Sequence, residues 1–321
     1  LDDAGTVVCE ASSVESKPSI EVVDLRSFEK GTVLSLPLFD AMREAIDRRS
    51  GVLLFLNRKG YANALVCRDC GQVPRCDSCL IALAYSRRMG RLLCSYCGTT
   101  VTTPSTCPVC SGHRLRPIGD GTERIEEEVS RLFPGARIVR ADGDTMRKPS
   151  QVTAGWKAIQ DRQWDVLIGT QLVLRDYAVP VVGLVGVIHA DASLNLPDFR
   201  AAERSYHMLC EAVALALPGK DGGRVVIQSL LPSHHAVQAV VHQDERIFST
   251  EELRHRTALG YPPAVQLIGL YVSGRDQGLV EKAASELADR IRASLAVSGQ
   301  VLPTGLGENA VLGPVPPPGP N

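Results

Sequence analysis

Eight cysteines fall into four C-x-x-C pairs between residues 67 and 110: Cys67/Cys70, Cys76/Cys79, Cys94/Cys97 and Cys107/Cys110. A C-x-x-C turn points both sulfurs to one side of a loop and supplies half of a tetrahedral site. Four pairs therefore predict two zinc sites of four thiolates each. Disulfide frameworks scatter their cysteines, whereas eight of the ten here are concentrated in one short segment. The other two, Cys9 and Cys210, have no near partner and read as ordinary small residues.

The spacing leaves the pairing open. Fourteen residues separate Cys79 from Cys94, close to the gap of a zinc ribbon, which favours an inner site from pairs two and three and an outer site from pairs one and four. Such nesting also draws the two ends of the segment together, as an insertion into another domain requires. Sequential pairing is the alternative and leaves that closure unexplained. Eight thiolates can close both coordination spheres, and His113 is the only histidine nearby, so the metals read as structural rather than hydrolytic.

From 67 to 118 there are seven arginines, two aspartates and no lysine. Eight thiolates and two divalent ions bring that excess to about +1. The segment is not strongly cationic, and any nucleic-acid contact depends on how Arg87, Arg88 and Arg91 are presented, with Arg58 and Lys59 as further candidates. The whole chain, 321 residues with a formal net charge of -1, has no broad electrostatic footprint for nucleic acid and is long enough for about two domains. No run of eighteen apolar residues and no basic-then-apolar leader is present, so neither a membrane span nor a secretion signal is expected, and a cytoplasmic location is the default.

Around the cysteines runs an alternation of helices and short apolar strands. Residues 34 to 56 read as a helix capped by Ser35 and then the buried strand VLLFL. After the cysteines come TERIEEEVSRLF as a helix, ARIVRAD as a strand, a helix around 151 to 162, and DVLIGT, LVGVIHAD and RVVIQSL as strands. FRAAERSYHMLCEAVALAL is long enough for a five-turn helix. This grammar predicts an α/β domain with a parallel sheet, into which the cysteine segment is inserted. A helix from Ser249 to Leu259 then meets the breaker GYPP. The strand LIGLYVSG and the helix VEKAASELADRIRASL follow, suggesting a small α+β domain, and GPVPPPGPN reads as an extended tail.

The blocks LLFLNRKGYANALVCRDCG, GDGTERIEEEVSRLFPGARIVRADGDT, DVLIGTQ, LVGVIHADASLNLPDFRAAER and ELRHRTALGYPP, in that order, resemble the PriA family of replication restart helicases. The resemblance runs from about residue 20 to the tail. It implies a RecA-like second helicase lobe (25–66 and 119–232), an inserted two-zinc module (67–118) and a C-terminal domain with a proline-rich tail (233–321), preceded by the end of lobe one or a linker (1–24). It also implies the nested ligand sets: Cys67, Cys70, Cys107 and Cys110 on one zinc, and Cys76, Cys79, Cys94 and Cys97 on the other.

Other positions depart from the family. After GTQ the family continues with a Lys-Gly step, whereas here Leu174, Arg175 and Asp176 follow. Where the family has a stretch like QVAGRAGR, whose arginines reach the γ-phosphate, this chain reads EAVALALP, placing Leu215 and Pro218 at the arginine positions. Neither residue can stabilise charge in a phosphoryl-transfer transition state. The nearby Arg200 and Arg204 read as helix-surface or DNA-facing groups. The phosphate cradle of the first lobe is not in these residues, and ATP binding is doubtful.

The expectation is therefore a protein that binds forked or single-stranded DNA and helps assemble the primosome without ATPase or helicase activity. By resemblance its partners are single-stranded DNA-binding protein and primosome and helicase-loading proteins, in the bacterial nucleoid. Two alternatives stand beside it: an active ATP-dependent 3′-to-5′ helicase whose first lobe lies outside this chain, and a zinc-ribbon adaptor.

Overall fold

The computed structural model describes residues 17–28, 32–56, 65–86, 90–117, 122–142, 145, 149–174, 179–298 and 311–315. At its centre is a six-stranded, all-parallel sheet in the order β1-β11-β10-β2-β9-β8, built from β1 (Ser19–Asp24), β2 (Val52–Leu56), β8 (Ile138–Ala141), β9 (Val166–Gly169), β10 (Leu184–Ile188) and β11 (Arg224–Ser229). The run VLLFL takes the middle of the sheet because both of its faces are covered, as continuous apolar strands require. Leu53 and Phe55 face a core closed by α3 (Pro149–Gln160), α5 (Ala201–Val213) and α6 (His235–His242). Val52, Leu54 and Leu56 face the opposite core under α1 (Leu36–Asp47) and α2 (Thr122–Leu132). The two-residue period of a strand thus assigns alternate residues to two separate cores.

Ser35 is the N-cap of α1, as expected, but its side chain makes no capping bond and its hydroxyl is buried without a partner. The helix entry is held from the sheet instead: the Gln228 side chain accepts from Ser35 N at 2.7 Å and donates to the Val33 carbonyl at 2.9 Å.

The architecture departs from sequence expectation in four places. Ser19–Asp24 is a strand of this sheet, paired in parallel with β11, so the sheet begins before the boundary expected at residue 25. The five-turn helix stops at Val213, because Leu215 O accepts from Val182 N and Leu217 N donates to Val182 O, both at 2.8 Å, tying Ala214–Leu217 to the loop before β10. LIGLYVSG forms no strand: residues 265–274 lack regular structure and leave Ile268 83% and Tyr271 91% exposed. The helix after it is present as α8 (Gln277–Ser298). The described part of the tail is docked, with Leu312 packed beside the second cysteine cluster and Gly313 O accepting from Arg292 at 2.6 Å.

The cysteine segment leaves the carboxyl end of β2 and is closed at its base by the antiparallel pair β3 (Leu65–Cys67) and β7 (Leu115–Pro117). Between them lies a small antiparallel sheet of β4 (Ala84–Ser86), β5 (Arg91–Leu93) and β6 (Thr100–Thr102). α7 (Glu245–Leu259), capped by Asp244, ends at Gly260 in the left-handed conformation, which places the GYPP breaker where the sequence predicts it. Among the described residues no helix is long and apolar enough to cross a membrane.

Candidate metal centres

The four C-x-x-C pairs adopt one local geometry four times. The residue after each second cysteine donates its N–H to the carbonyl of the first: Gly71 to Cys67, Leu80 to Cys76, Gly98 to Cys94 and Ser111 to Cys107, at 2.8 to 3.1 Å. Each of those residues is left-handed, with φ of 77°, 57°, 76° and 59° respectively. The next residue's carbonyl then accepts from the N–H of the first cysteine, as Gln72 O does from Cys67 N at 2.9 Å. This tight turn aims both sulfurs of a pair at one point. Backbone N–H groups of Asp69, Tyr96 and Val109 each lie 3.4 Å from the sulfur of Cys67, Cys94 and Cys107, an arrangement that favours thiolate.

The pairs combine in nested fashion. Cys67, Cys70, Cys107 and Cys110 form one quartet and Cys76, Cys79, Cys94 and Cys97 the other, with the sulfurs of each within 4.8 Å of one another. Sulfur separations of 3.6 Å for Cys67–Cys110 and Cys76–Cys97, and 3.7 Å for Cys70–Cys107, rule out disulfides. They do fit a tetrahedron: four sulfurs about 2.3 Å from a central ion are separated by roughly 3.8 Å. Both quartets can hold a metal ion. Burial pushes the unmetallated Cys70 and Cys94 thiols up to about 12 and about 11, so metal binding here displaces protons.

Each quartet is docked on the lobe. A Cβ on Gly71 would lie 2.7 Å from Leu230 O, which places the first quartet against the end of β11. Val66, Val73, Ala82, Ala192 and Leu230 form the apolar seam between them. Asp69, beside Cys67, pairs with Arg114, which holds its carboxyl below the ordinary value. Around the second quartet, the Tyr261 ring stacks on Phe199 at 5.0 Å and lies edge-on to Tyr96 at 6.4 Å, while its hydroxyl donates to Cys79 O at 2.6 Å. Ser95 donates to Pro197 O at 3.1 Å.

The same seam continues into a charge network. The Arg256 guanidinium lies 5.3 Å over Phe199 and pairs with Glu203 at 2.7 Å and Glu252 at 2.8 Å. Glu252 also bonds His235 at 2.9 Å. Arg200, with help from Arg256, pulls the Glu203 carboxyl down to about 2.

Arg91 is exposed on β5. Arg58, Lys59, Arg87, Arg88, Arg175 and Asp176 lie outside the described residues. Leu215 is half-buried against the main core, and Pro218 precedes a short turn whose Asp221 and Gly223 N–H groups donate to its carbonyl. Arg200 pairs with Glu203 at 2.6 Å and Arg204 with Asp198 at 2.7 Å, so both have carboxylate partners on their own segment. Sequence reasoning missed Tyr261 and the left-handed residues. Gly71 and Gly98 were a visible signal for two of the turns; Leu80 and Ser111 gave none.

No family model matches the chain. It is similar to replication restart protein PriA of Bacillus subtilis (34% identical over 288 residues, 89% of this chain and 36% of that protein). It is also similar to PriA of Treponema pallidum (36% over 285 residues, 89% and 43%) and of a Synechocystis strain (33% over 306 residues, 93% and 36%). The chain thus spans 36 to 43% of the length of these relatives.

Proposed function

Because this chain is PriA-like over most of its length, we propose that it is the C-terminal portion of a replication restart protein that binds forked or single-stranded DNA and helps assemble the primosome. In this reading 119–232 and the stretch from Ser19, where the sheet begins, to residue 66 form a RecA-like lobe, 67–118 a two-zinc module, and 233–321 a C-terminal domain, in the cytoplasm of a bacterium. The observation that carries the reading is the pair of quartets, whose four thiolates each leave a zinc no open position for chemistry. A zinc in each would act as a structural clip, closing an insertion that a small antiparallel sheet is too short to hold alone. Docked on the lobe through Leu230 and Pro197 and on the C-terminal domain through Tyr261, the module becomes a rigid projection, suited to presenting Arg91, with Arg58, Lys59, Arg87 and Arg88 as further candidate DNA contacts.

The proposal extends to the absence of ATP turnover. Leu215 serves the core and the Val182 pairing, and Pro218 a turn; neither offers a cation. Single-stranded DNA-binding protein and helicase-loading proteins are the proposed partners. The test is an ATPase and anisotropy assay of the full-length protein with forked DNA. Salt-sensitive fork binding without DNA-stimulated hydrolysis is expected. Turnover at helicase-like rates would return the reading to an active 3′-to-5′ helicase, and absence of DNA binding to a zinc-ribbon adaptor.

A further inference from the structure

At the amino-terminal edge of the sheet, opposite the edge from which the metal module springs, three arginines converge on one cavity of about 70 Å³. Arg49, Arg137 and Arg162 line it together with Asp165, Trp164 and Ile46. They arrive from three different elements: Arg49 just past α1, Arg137 just before β8, and Arg162 just past α3.

Two of them occupy positions that disfavour them. Arg49 has φ of 53° and Arg162 of 51°. Both helix ends are closed in the same way: Arg49 N donates to Ile46 O and Ser50 N to Ala45 O, as Arg162 N does to Ile159 O and Gln163 N to Ala158 O. Glycine is the ordinary occupant of this left-handed position. A cation near a helix C-terminus offsets the helix dipole, which accounts for a basic residue at each end taken singly. It does not account for two such ends and a third guanidinium facing one small cavity.

The partners are too few for the charges. Arg137 spends Nε and Nη2 on Asp165 at 3.0 and 2.8 Å, and Arg162 donates Nη2 to Val181 O at 2.7 Å. No hydrogen bond or ion pair of the Arg49 guanidinium occurs among the described residues; the hydrogen bonds from Arg137 chiefly lower the Asp165 carboxyl, and the field of Arg49 adds a little to that. One carboxylate thus faces three guanidiniums. Buried Trp164, its indole N–H already given to Ile159 O at 2.9 Å, makes one wall apolar, which strengthens a charge interaction beside it.

We propose that this notch binds a phosphate group. Guanidinium forks match a tetrahedral oxyanion bidentately, and the notch is large enough to admit one such group. The phosphate belongs either to a nucleic-acid backbone or to a free phosphate ester. The site is separate from both metal centres and does not depend on the proposed restart role, since inorganic phosphate can be tested without DNA.

The test uses the whole chain and the substitution Arg49→Gln, which breaks no described contact, with Arg162→Gln as a second variant. Calorimetry with inorganic phosphate at constant ionic strength should give a binding isotherm that Arg49→Gln weakens by about tenfold, the order of one charge-assisted contact. Anisotropy with a fluorescent oligothymidylate separates the sources. A parallel loss in the variant assigns the site to a nucleic-acid diester, and unchanged oligonucleotide affinity assigns it to a free ester. A phosphate-dependent rise in melting temperature of the wild type gives a second readout should a variant fold poorly. Absence of phosphate binding to the wild type, or wild-type affinity in both folded variants, overturns the proposal.

Discussion

The hydroxyl of Tyr261 donates to the carbonyl oxygen of Cys79 at 2.6 Å across 182 positions of sequence, joining the end of α7 to the second metal quartet. Tyr261 is 5% exposed, and the bond satisfies a carbonyl within a metal-binding turn. The turn itself is therefore braced by the segment that follows α7, and its stability depends on a residue that binds no metal.

Tyr261→Phe keeps the ring stack on Phe199 and removes only this bond. Leaving the carbonyl unpaired costs about 1–3 kcal/mol. The expected outcome is a lower denaturation midpoint and faster metal loss to a chromogenic chelator from the Cys76 quartet, with the Cys67 quartet unaffected. Equal loss rates from both quartets, or from neither, would show that the tie is not mechanical.

Nesting predicts which cysteine pairs share a metal. Cys67→Ser with Cys110→Ser should remove one of two equivalents by elemental analysis, because both ligands serve one ion. Cys67→Ser with Cys76→Ser should remove both, or unfold the module. Sequential pairing gives the reverse pattern, so the two double variants decide between them without further structure.

The parts of the fold legible in the sequence are those whose signal is local. VLLFL had to be buried on both faces, and the four C-x-x-C pairs had to make two tetrahedral sites. Where the outcome depended on a distant partner, local reasoning failed. AVALAL has high helix propensity, yet Leu215 and Leu217 pair with Val182 and the helix stops. SIEVVD alternates too weakly to announce a strand, because as an edge strand it is only partly buried. LIGLYVSG has strand composition, but a strand requires a neighbour, and none is present among the described residues. Tyr261 looked like part of a helix breaker because its packing partners, Phe199 and Cys79, lie far away in the chain.

Stability should fall as the solution becomes acidic, beginning near neutrality. Burial, then the neighbouring His235, pushes His234 down to about 3 from an ordinary value of 6.5. A depressed histidine is neutral in the folded state while its unfolded counterpart takes up a proton. Its contribution is therefore complete above about 6.5 and is lost as pH falls from there towards 3. Glu203, held down to about 2, adds a second loss only below about 4.5. His234 Nδ1 accepts from Ala236 N at 3.2 Å as the cap of α6, so His234→Asn preserves a capping acceptor. Denaturant midpoints measured from pH 7.5 to 5 should decline more steeply in the wild type than in His234→Asn. Parallel slopes would remove His234 as the cause.

The residue after each C-x-x-C pair gives the last prediction, because the four turns share a geometry but not a residue. Gly71 has φ of 77°, and an added Cβ would lie 2.7 Å from Leu230 O and 2.9 Å from Leu231 Cδ2. Gly71→Ala therefore meets both backbone strain and a backbone atom that cannot yield. The first quartet should separate from β11, with a loss of about 2 kcal/mol or more from strain and misplacement combined. Leu80 holds the same position in the second turn at φ of 57° and is 43% exposed. Leu80→Gly removes a left-handed penalty of about 1–2 kcal/mol and adds roughly 0.5–1 kcal/mol of unfolded-chain entropy. The net change should be neutral to slightly stabilising, with both metal equivalents retained. The two substitutions act on equivalent positions of two different turns in opposite directions, so urea denaturation monitored together with metal content separates them. If Gly71→Ala is silent, the first metal centre is not seated on the lobe; if Leu80→Gly is strongly destabilising, Leu80 packs where the structure leaves it in solvent.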